Sequence, residues 1–280
     1  MGWRGPARAS LAVLCTVIFV PLPGCGSSEG DDLVGGAGNE DQLRGDHGAD
    51  ELDAAPGKHD VASFAVSGFQ GSIERGNGVV VDLSTGQAGQ DGNDRLKRVE
   101  DLIGIAFGDL LSGGGGSDLL ISEPCIGQII EGGPGVDSVS FARLNAGVGV
   151  QVQLGGNAVD ATHGRFGAGC PVVGSQPSRI DRSVESIEGS ASDDALIGDD
   201  LSNALLGRGG DDTLRGMGGA DFLVGGSAVD SIDGGPGEDR VYARDGTRDR
   251  RLICGNDRLQ GDVASADPAD PSPLGCRLLP

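Results

Sequence analysis

The residues in this chain best placed to do chemistry are aspartates set in glycine turns at a spacing of nine. Residues 189 to 242 divide into six consecutive units of nine: GSASDDALI, GDDLSNALL, GRGGDDTLR, GMGGADFLV, GGSAVDSID and GGPGEDRVY. Each unit opens with Gly. Five carry Asp at the sixth position (Asp194, Asp212, Asp221, Asp230, Asp239), and the remaining one carries Asn203. The eighth position is always apolar: Leu196, Leu205, Leu214, Leu223, Ile232 and Val241. Carboxylates repeated at one phase, beside glycines that expose backbone carbonyls, offer what a hard cation takes. Calcium accepts roughly six to eight oxygens at about 2.3–2.6 Å and mixes carboxylates with carbonyls.

The elements that position these groups follow from the period. Positions one to six combine Gly with Asp, Asn or Pro, which suits a tight turn with positive-φ residues. Positions seven to nine are too short for a helix and form a short strand with one apolar side chain inward. Two units make one coil of eighteen residues, so every second unit stacks at about 4.8 Å, the inter-strand spacing. Carboxylates that close repel unless a cation lies between them. One column should hold Asp194, Asp212 and Asp230, and the other Asn203, Asp221 and Asp239. The pairs Asp212 with Asp230 and Asp221 with Asp239 are the best candidates. The alternative is a set of solvated Asp-Gly turns without metal.

The units fit G-G-x-G-x-D-x-U-x, with U apolar, and on these residues the chain resembles the hemolysin-type calcium-binding (RTX) repeat family. The resemblance implies an all-β fold, a parallel β-roll (β-solenoid) of glycine-rich nonapeptides, holding several Ca2+ ions. Less regular units occur earlier. GSSEGDDLV (26–34), GGAGNEDQLR (35–44) and GDHGADELD (45–53) form a first cluster, in which Asp50 has the best context and Asp31 is its possible partner. GQDGNDRLK (89–97), GIAFGDLLS (104–112, with Asp109), GGGGSDLLI (113–121) and GGPGVDSVS (132–140) form a second. There Asp118 and Asp137 face the same side and make the strongest site outside the C-terminal run. Ala228 replaces the position-four Gly of its unit, and GDDLSNALL lacks both that Gly and the Asp, which weakens those sites.

A longer duplication overlies the nonads. DVASFA (60–65) recurs as DSVSFA (137–142); each copy leads to an alternating apolar stretch, and then to a Val-Glu step at Val99-Glu100 and Val184-Glu185. The expected organisation is a leader (1–24), a first repeat cluster (25–64), a wider β coil (65–88), a second cluster (89–141), a second wider coil (142–184), a third cluster (185–246) and a disulfide-capped C-terminal segment (247–280). The two wider coils should interrupt the repeats yet continue the stack. RDRRLICGNDRLQGD (248–262) reads as a shortened turn and ADPADPSP (266–273) as a loop.

Composition agrees with a solenoid. Aromatics are 3 % and Gly is 53 of 280 residues, so little of the chain can build a conventional packed core. The net charge of −21 disfavours a compact state unless cations offset it, so folding should be coupled to calcium. The same charge disfavours nucleic acid as a partner.

Arg4 and Arg8 precede an apolar run, Ala9 to Val20, that is too short to span a bilayer comfortably and suits a secretory leader. Leu22-Pro-Gly-Cys25 resembles a bacterial lipobox, with Cys25 as the lipidation site and Pro23 unusual for it; ordinary leader cleavage is the alternative. A lipid there would be the chain's one contact with a membrane. Cys125, Cys170, Cys254 and Cys276 remain, and an even count in an exported chain suggests disulfides. Three pairings are possible, and proximity favours Cys125–Cys170 and Cys254–Cys276. A thiol metal site is the rival, although no C-x-x-C spacing exists.

The expected function is an exported calcium-binding β-roll in the extracellular space or cell envelope, with a structural or surface role. A calcium-dependent adhesin or ligand-binding surface protein, with a cell-surface or matrix partner, is the alternative. A remnant of a secreted RTX hydrolase is a further one. Catalysis is not expected. Repeats and wider coils cover nearly everything from Gly26 to Tyr242; His47, His59 and His163 are scattered; and no H-E-x-x-H is present. Gly26-Ser-Ser-Glu-Gly30 matches G-x-S-x-G but lacks the strand-turn-helix context of a nucleophile elbow.

Overall fold

The computed structural model describes residues 15–16, 32–35, 40–43, 49–63, 80–89, 93–104, 109–121, 128–144, 147–154, 159–160, 179–255 and 261–279. Within them the chain is all-β, built from strands of two to six residues in three sheets of nine, eleven and six strands. The eleven-stranded sheet runs from Gln42–Leu43 to Arg277–Leu278. The second face of the roll is made first by the nine-stranded sheet, which ends on Arg179–Ile180. The six-stranded sheet, from Val159–Asp160 and Gln151–Gln153 to Arg251–Gly255, then takes over.

Register follows the eighteen-residue coil. Leu196 pairs with Leu214 and Leu214 with Ile232, while Leu205 pairs with Leu223 and Leu223 with Val241. All six of these side chains are fully buried. The core is thus a double file of position-eight side chains, one per strand, and burial of each Leu stabilises the roll by roughly 1.5–3 kcal/mol. A one-residue slip would turn the whole file outward, so this file fixes the register.

Among the described residues, part of each wider stretch runs antiparallel. Val80–Asp82 pairs antiparallel with Gln87–Gly89, which pairs antiparallel with Asn93–Lys97, before the sheet resumes parallel pairing on Glu51–Asp53 and Leu110–Ser112. The unit at 89–97 therefore belongs partly to this meander. Gln151–Gln153 likewise pairs antiparallel with Val159–Asp160.

In the C-terminal segment the stretch 248–262, expected as a shortened turn, contributes the strand Arg251–Gly255 to the stack, while 267–273 is the loop that the sequence suggests. Arg251–Gly255 pairs with Ser231–Gly235, Val263–Ala266 with Arg240–Ala243, and Arg277–Leu278 with Val263–Ala264. The apolar residues Leu252 and Ala264 supply the inward positions, which lets the stack continue although the spacing changes. A disulfide joins Cys254 to Cys276 and ties the last strand to the preceding coil. Near the N-terminus, Cys15–Thr16 pairs with Leu33–Val34. Cys25, Cys125, Cys170 and Asp31 lie outside the described residues. Among the described residues no helix is long and apolar enough to cross a membrane.

Candidate metal centres

The position-six aspartates form ladders. The backbone N–H of each one donates to Oδ1 of the next, one coil along. Asp194 donates to Asp212 (2.8 Å), Asp212 to Asp230 (2.9 Å), Asp230 to Asp249 (2.8 Å) and Asp249 to Asp270 (2.9 Å). On the other side Asn203 donates to Asp221 (2.8 Å), Asp221 to Asp239 (2.9 Å) and Asp239 to Asp262 (2.9 Å). Earlier in the chain Asp118 donates to Asp137 (2.9 Å) and Asp50 to Asp94 (2.8 Å). Asp109 is buried in its own turn, its Oδ2 packed against Gly104. Both columns hold the members their phase in the sequence implies.

Several rungs were not legible. Asp41 donates to Asp60 (3.0 Å), Asp60 to Glu100 Oε2 (3.1 Å), and Asp137 to Glu185 Oε2 (2.8 Å). Glu100 and Glu185 are the duplicated Val-Glu steps. Where the chain re-enters the stack after a wide stretch, the longer Glu side chain reaches the place an Asp occupies elsewhere. The repetition of that step was the available signal. Asp94 holds position six in GQDGNDRLK, and Asp249, Asp262 and Asp270 were hidden by irregular spacing.

What each second carboxylate oxygen meets depends on the turn. Gly114 N–H donates to Asp118 Oδ2 (2.6 Å) and Ser190 N–H to Asp194 Oδ2 (2.6 Å). Asp199 N–H similarly satisfies Asn203 Oδ1 (2.8 Å). In these turns the position-two amide of a unit caps the unit's own position-six side chain. In the units of Asp137, Asp212, Asp221 and Asp230 the position-two residue instead has positive φ: Gly133 (97°), Arg208 (79°), Met217 (80°) and Gly226 (115°). That conformation turns the amide away, and Oδ2 of all four aspartates is buried without a hydrogen-bond partner. Asp249 Oδ2 is in the same state. Ala228 does not break its turn, because it adopts the glycine-like φ of 91° itself.

These bare oxygens face carbonyls. A Cβ placed on Gly207 would lie 2.2 Å from Asp212 Oδ2 and 2.4 Å from the Gly225 carbonyl oxygen; on Gly216 it would meet Asp221 Oδ2 at 2.2 Å and the Gly234 carbonyl at 2.4 Å. The position-one Gly is thus required by packing, since two acceptors crowd the space a side chain would fill. Burial raises the carboxyls against this arrangement. Asp212 is pushed up to about 8, with Asp194 and Asp230 adding repulsion against the one amide that donates to it. Burial likewise pushes Asp221 and Asp249 up to about 7, and Asp230 and Asp137 up to about 6. Asp118 and Asp194 are also raised by burial, opposed by their capping amides.

Among the described residues no three His, Cys, Asp or Glu side chains gather into a metal-binding group. A cation here would take one or two carboxylates and complete its shell with carbonyls, a donor set that fits calcium and not zinc. No curated protein matches the chain. The family model for four copies of the RTX calcium-binding nonapeptide repeat matches residues 26–58, 197–232 and 215–247, so these parts of the chain are similar to that repeat.

Proposed function

We propose that this chain is an exported calcium-binding β-roll that folds when it meets calcium outside the cytoplasm and serves a structural or surface role. The observation that carries the reading is the set of buried carboxylate oxygens without donors, stacked coil on coil in a chain of net charge −21. Burying a charge without a partner is costly, and a cation removes the cost by supplying the missing countercharge. Asp137, Asp212, Asp221 and Asp230 would hold the ions most directly, joined by Asp249. Asp239 and Asp109 would contribute from the same ladders. Asp50, Asp118 and Asp194 would do so where their present hydrogen bonds yield to metal.

Bound calcium supplies charge neutralisation and draws carbonyls and carboxylates of adjacent coils together. The protein's own part is to hold those oxygens in register and keep water from them. Extracellular calcium modules bind at about 10⁻⁴–10⁻³ M. With free calcium tenfold above such a constant, each independent site adds about 1.4 kcal/mol. Several sites together would decide whether the roll folds, so it would stay open inside the cell and close after export. In this reading residues 1–24 are the leader and Cys25 carries a lipid anchor.

The test is far-UV circular dichroism of the purified chain, started metal-free and titrated with calcium, then separately with magnesium. A cooperative gain of β signal specific to calcium is expected. A spectrum already fully β without metal, and unmoved by millimolar calcium, would overturn the proposal.

A further inference from the structure

The outer face of the eleven-stranded sheet near the C-terminal end combines apolar, aromatic and basic side chains. Position-eight side chains point inward there, so the outward rows are Ala204, Phe222, Arg240, Val263 and Arg277 in one file, and Leu206, Val224, Tyr242 and Ser265 in the next. None of these is acidic, in a chain with twice as many Asp and Glu (42) as Lys and Arg (21). Phe222 is 39 % exposed and its ring lies 5.1 Å from that of Tyr242, tilted by 45°.

Two exposed arginines stand on this face. Lys97, Arg98, Arg182, Arg208, Arg250 and Arg251 all pair with acidic side chains. Arg240 and Arg277 are exposed and pair with no acidic side chain among the described residues, although acids abound. They stand in the same file, separated by Val263. The strip they share with the aromatic pair is three residues wide and five strands long, or about 10 Å by 19 Å.

We infer that this strip binds an acidic polysaccharide, with sugar faces against Phe222, Tyr242, Leu206 and Val224 and carboxylate or sulfate groups on Arg240 and Arg277. Planar aromatic and aliphatic surface suits the C–H face of a sugar ring, and a guanidinium matches an oxyanion with two parallel N–H donors. The narrowness of the strip favours a single chain over a membrane. A lipid plane wider than the strip would bring anionic headgroups against exposed Asp193 and Asp245 in the bordering turns. The site needs the roll folded but uses none of the aspartate ladders.

The test uses the full chain in calcium, with dextran sulfate, hyaluronan, neutral dextran and vesicles of phosphatidylglycerol as probes. Dextran sulfate or hyaluronan should bind and dextran should not. The double variant R240A/R277A should bind at least tenfold more weakly, as should F222A/Y242A. R215A, on the outer face of the opposite sheet, should bind like the parent. Circular dichroism and the calcium titration are run on each variant, so a failure of calcium-linked folding is seen separately from a failure of this site. Unchanged binding by R240A/R277A with intact folding, equal binding of neutral dextran, absence of binding to either anionic chain, or binding to vesicles alone would each overturn the inference.

Discussion

Replacing Asp212 by Asn should stabilise the metal-free roll and reduce the stability that calcium adds. Asp212 is fully buried, with Oδ1 held by the Asp194 amide and Oδ2 without a partner. Its carboxyl is pushed up to about 8 from an ordinary 3.8, so at pH 7 the metal-free fold forfeits about 4 kcal/mol through this group. Asn has the same shape and no charge, and Asn203 already occupies the equivalent place in its own unit. The Asn amide must find acceptors for its own N–H groups, so the expected net gain without metal is about 1–2 kcal/mol. With calcium the variant loses at least one ion's contribution, about 1.4 kcal/mol at tenfold saturation. Urea unfolding followed by circular dichroism would measure both arms, with sucrose added to keep a measurable folded fraction when metal is absent. The variant should stand above the parent without calcium, and calcium should then add at least about 1.4 kcal/mol less to the variant than to the parent. A variant less stable than the parent without metal would refute the claim that the Asp212 charge is uncompensated. Retention of the full calcium increment would refute its role as a ligand.

Three further outcomes test other parts of the same reasoning. Carboxyls raised in the fold bind protons more tightly there than in the open chain. The metal-free roll should therefore be most stable below about pH 4 and lose stability as pH climbs through 6 to 8, where Asp137, Asp230, Asp221, Asp249 and Asp212 ionise. A metal-free urea midpoint that rises between pH 5 and pH 8.5 would contradict this. Gly216→Ala puts a methyl 2.2 Å from Asp221 Oδ2 and should cost about 1–3 kcal/mol along with calcium bound at that rung. Gly115→Ala, with nothing within 4 Å, should stay within about 0.5 kcal/mol, and equal melting of the two variants would discount the packing argument. Removing the Cys254–Cys276 bond, which closes a separation of 22 residues, should cost about 3 kcal/mol, with hydrogen exchange rising first in 251–279.

The phase of the repeat carried much of the fold in plain view. Position eight is apolar in every nonad and buried in every nonad, and the eighteen-residue coil places Asp212 over Asp230 and Asp221 over Asp239 without further information. Register was readable because one strictly periodic property leaves one way to stack. It became unreadable wherever unit length drifts. Asp249, Asp262 and Asp270 continue the ladders through a segment whose spacing no longer counts in nines, and contacts across 19 to 23 residues replace the regular 18. The capping of Asp118 was illegible for a different reason. GGGGSD and GGPGVD look equivalent as strings, yet Gly114 gives its amide to Asp118 while Gly133, at φ 97°, withholds its own from Asp137. Composition does not fix a single dihedral.

That withheld amide leads to the last prediction. Arg208, Met217 and Ala228 hold φ of 79°, 80° and 91°, a region that costs a residue with a Cβ about 1–2 kcal/mol. What the strained position-two residues Arg208 and Met217 secure is the absence of a hydrogen bond to Asp212 and Asp221, which is a second unfavourable contribution. Ser190 and Asp199 show the relaxed alternative in the same fold, with ordinary φ and a satisfied position-six side chain. A fold selected only for its metal-free stability would use that alternative throughout. Strain and a bare carboxylate occurring together make sense where both are repaid by a cation that needs the oxygen free. Met217→Gly separates the two costs, because it relieves the dihedral while leaving the turn open. It should raise stability by about 1 kcal/mol, less the entropy of the added glycine, equally with and without calcium, and leave calcium affinity unchanged. If it instead weakened calcium binding while stabilising the metal-free roll, the turn would have relaxed to the capped form. Met217 would then be the residue that holds the Asp221 site open.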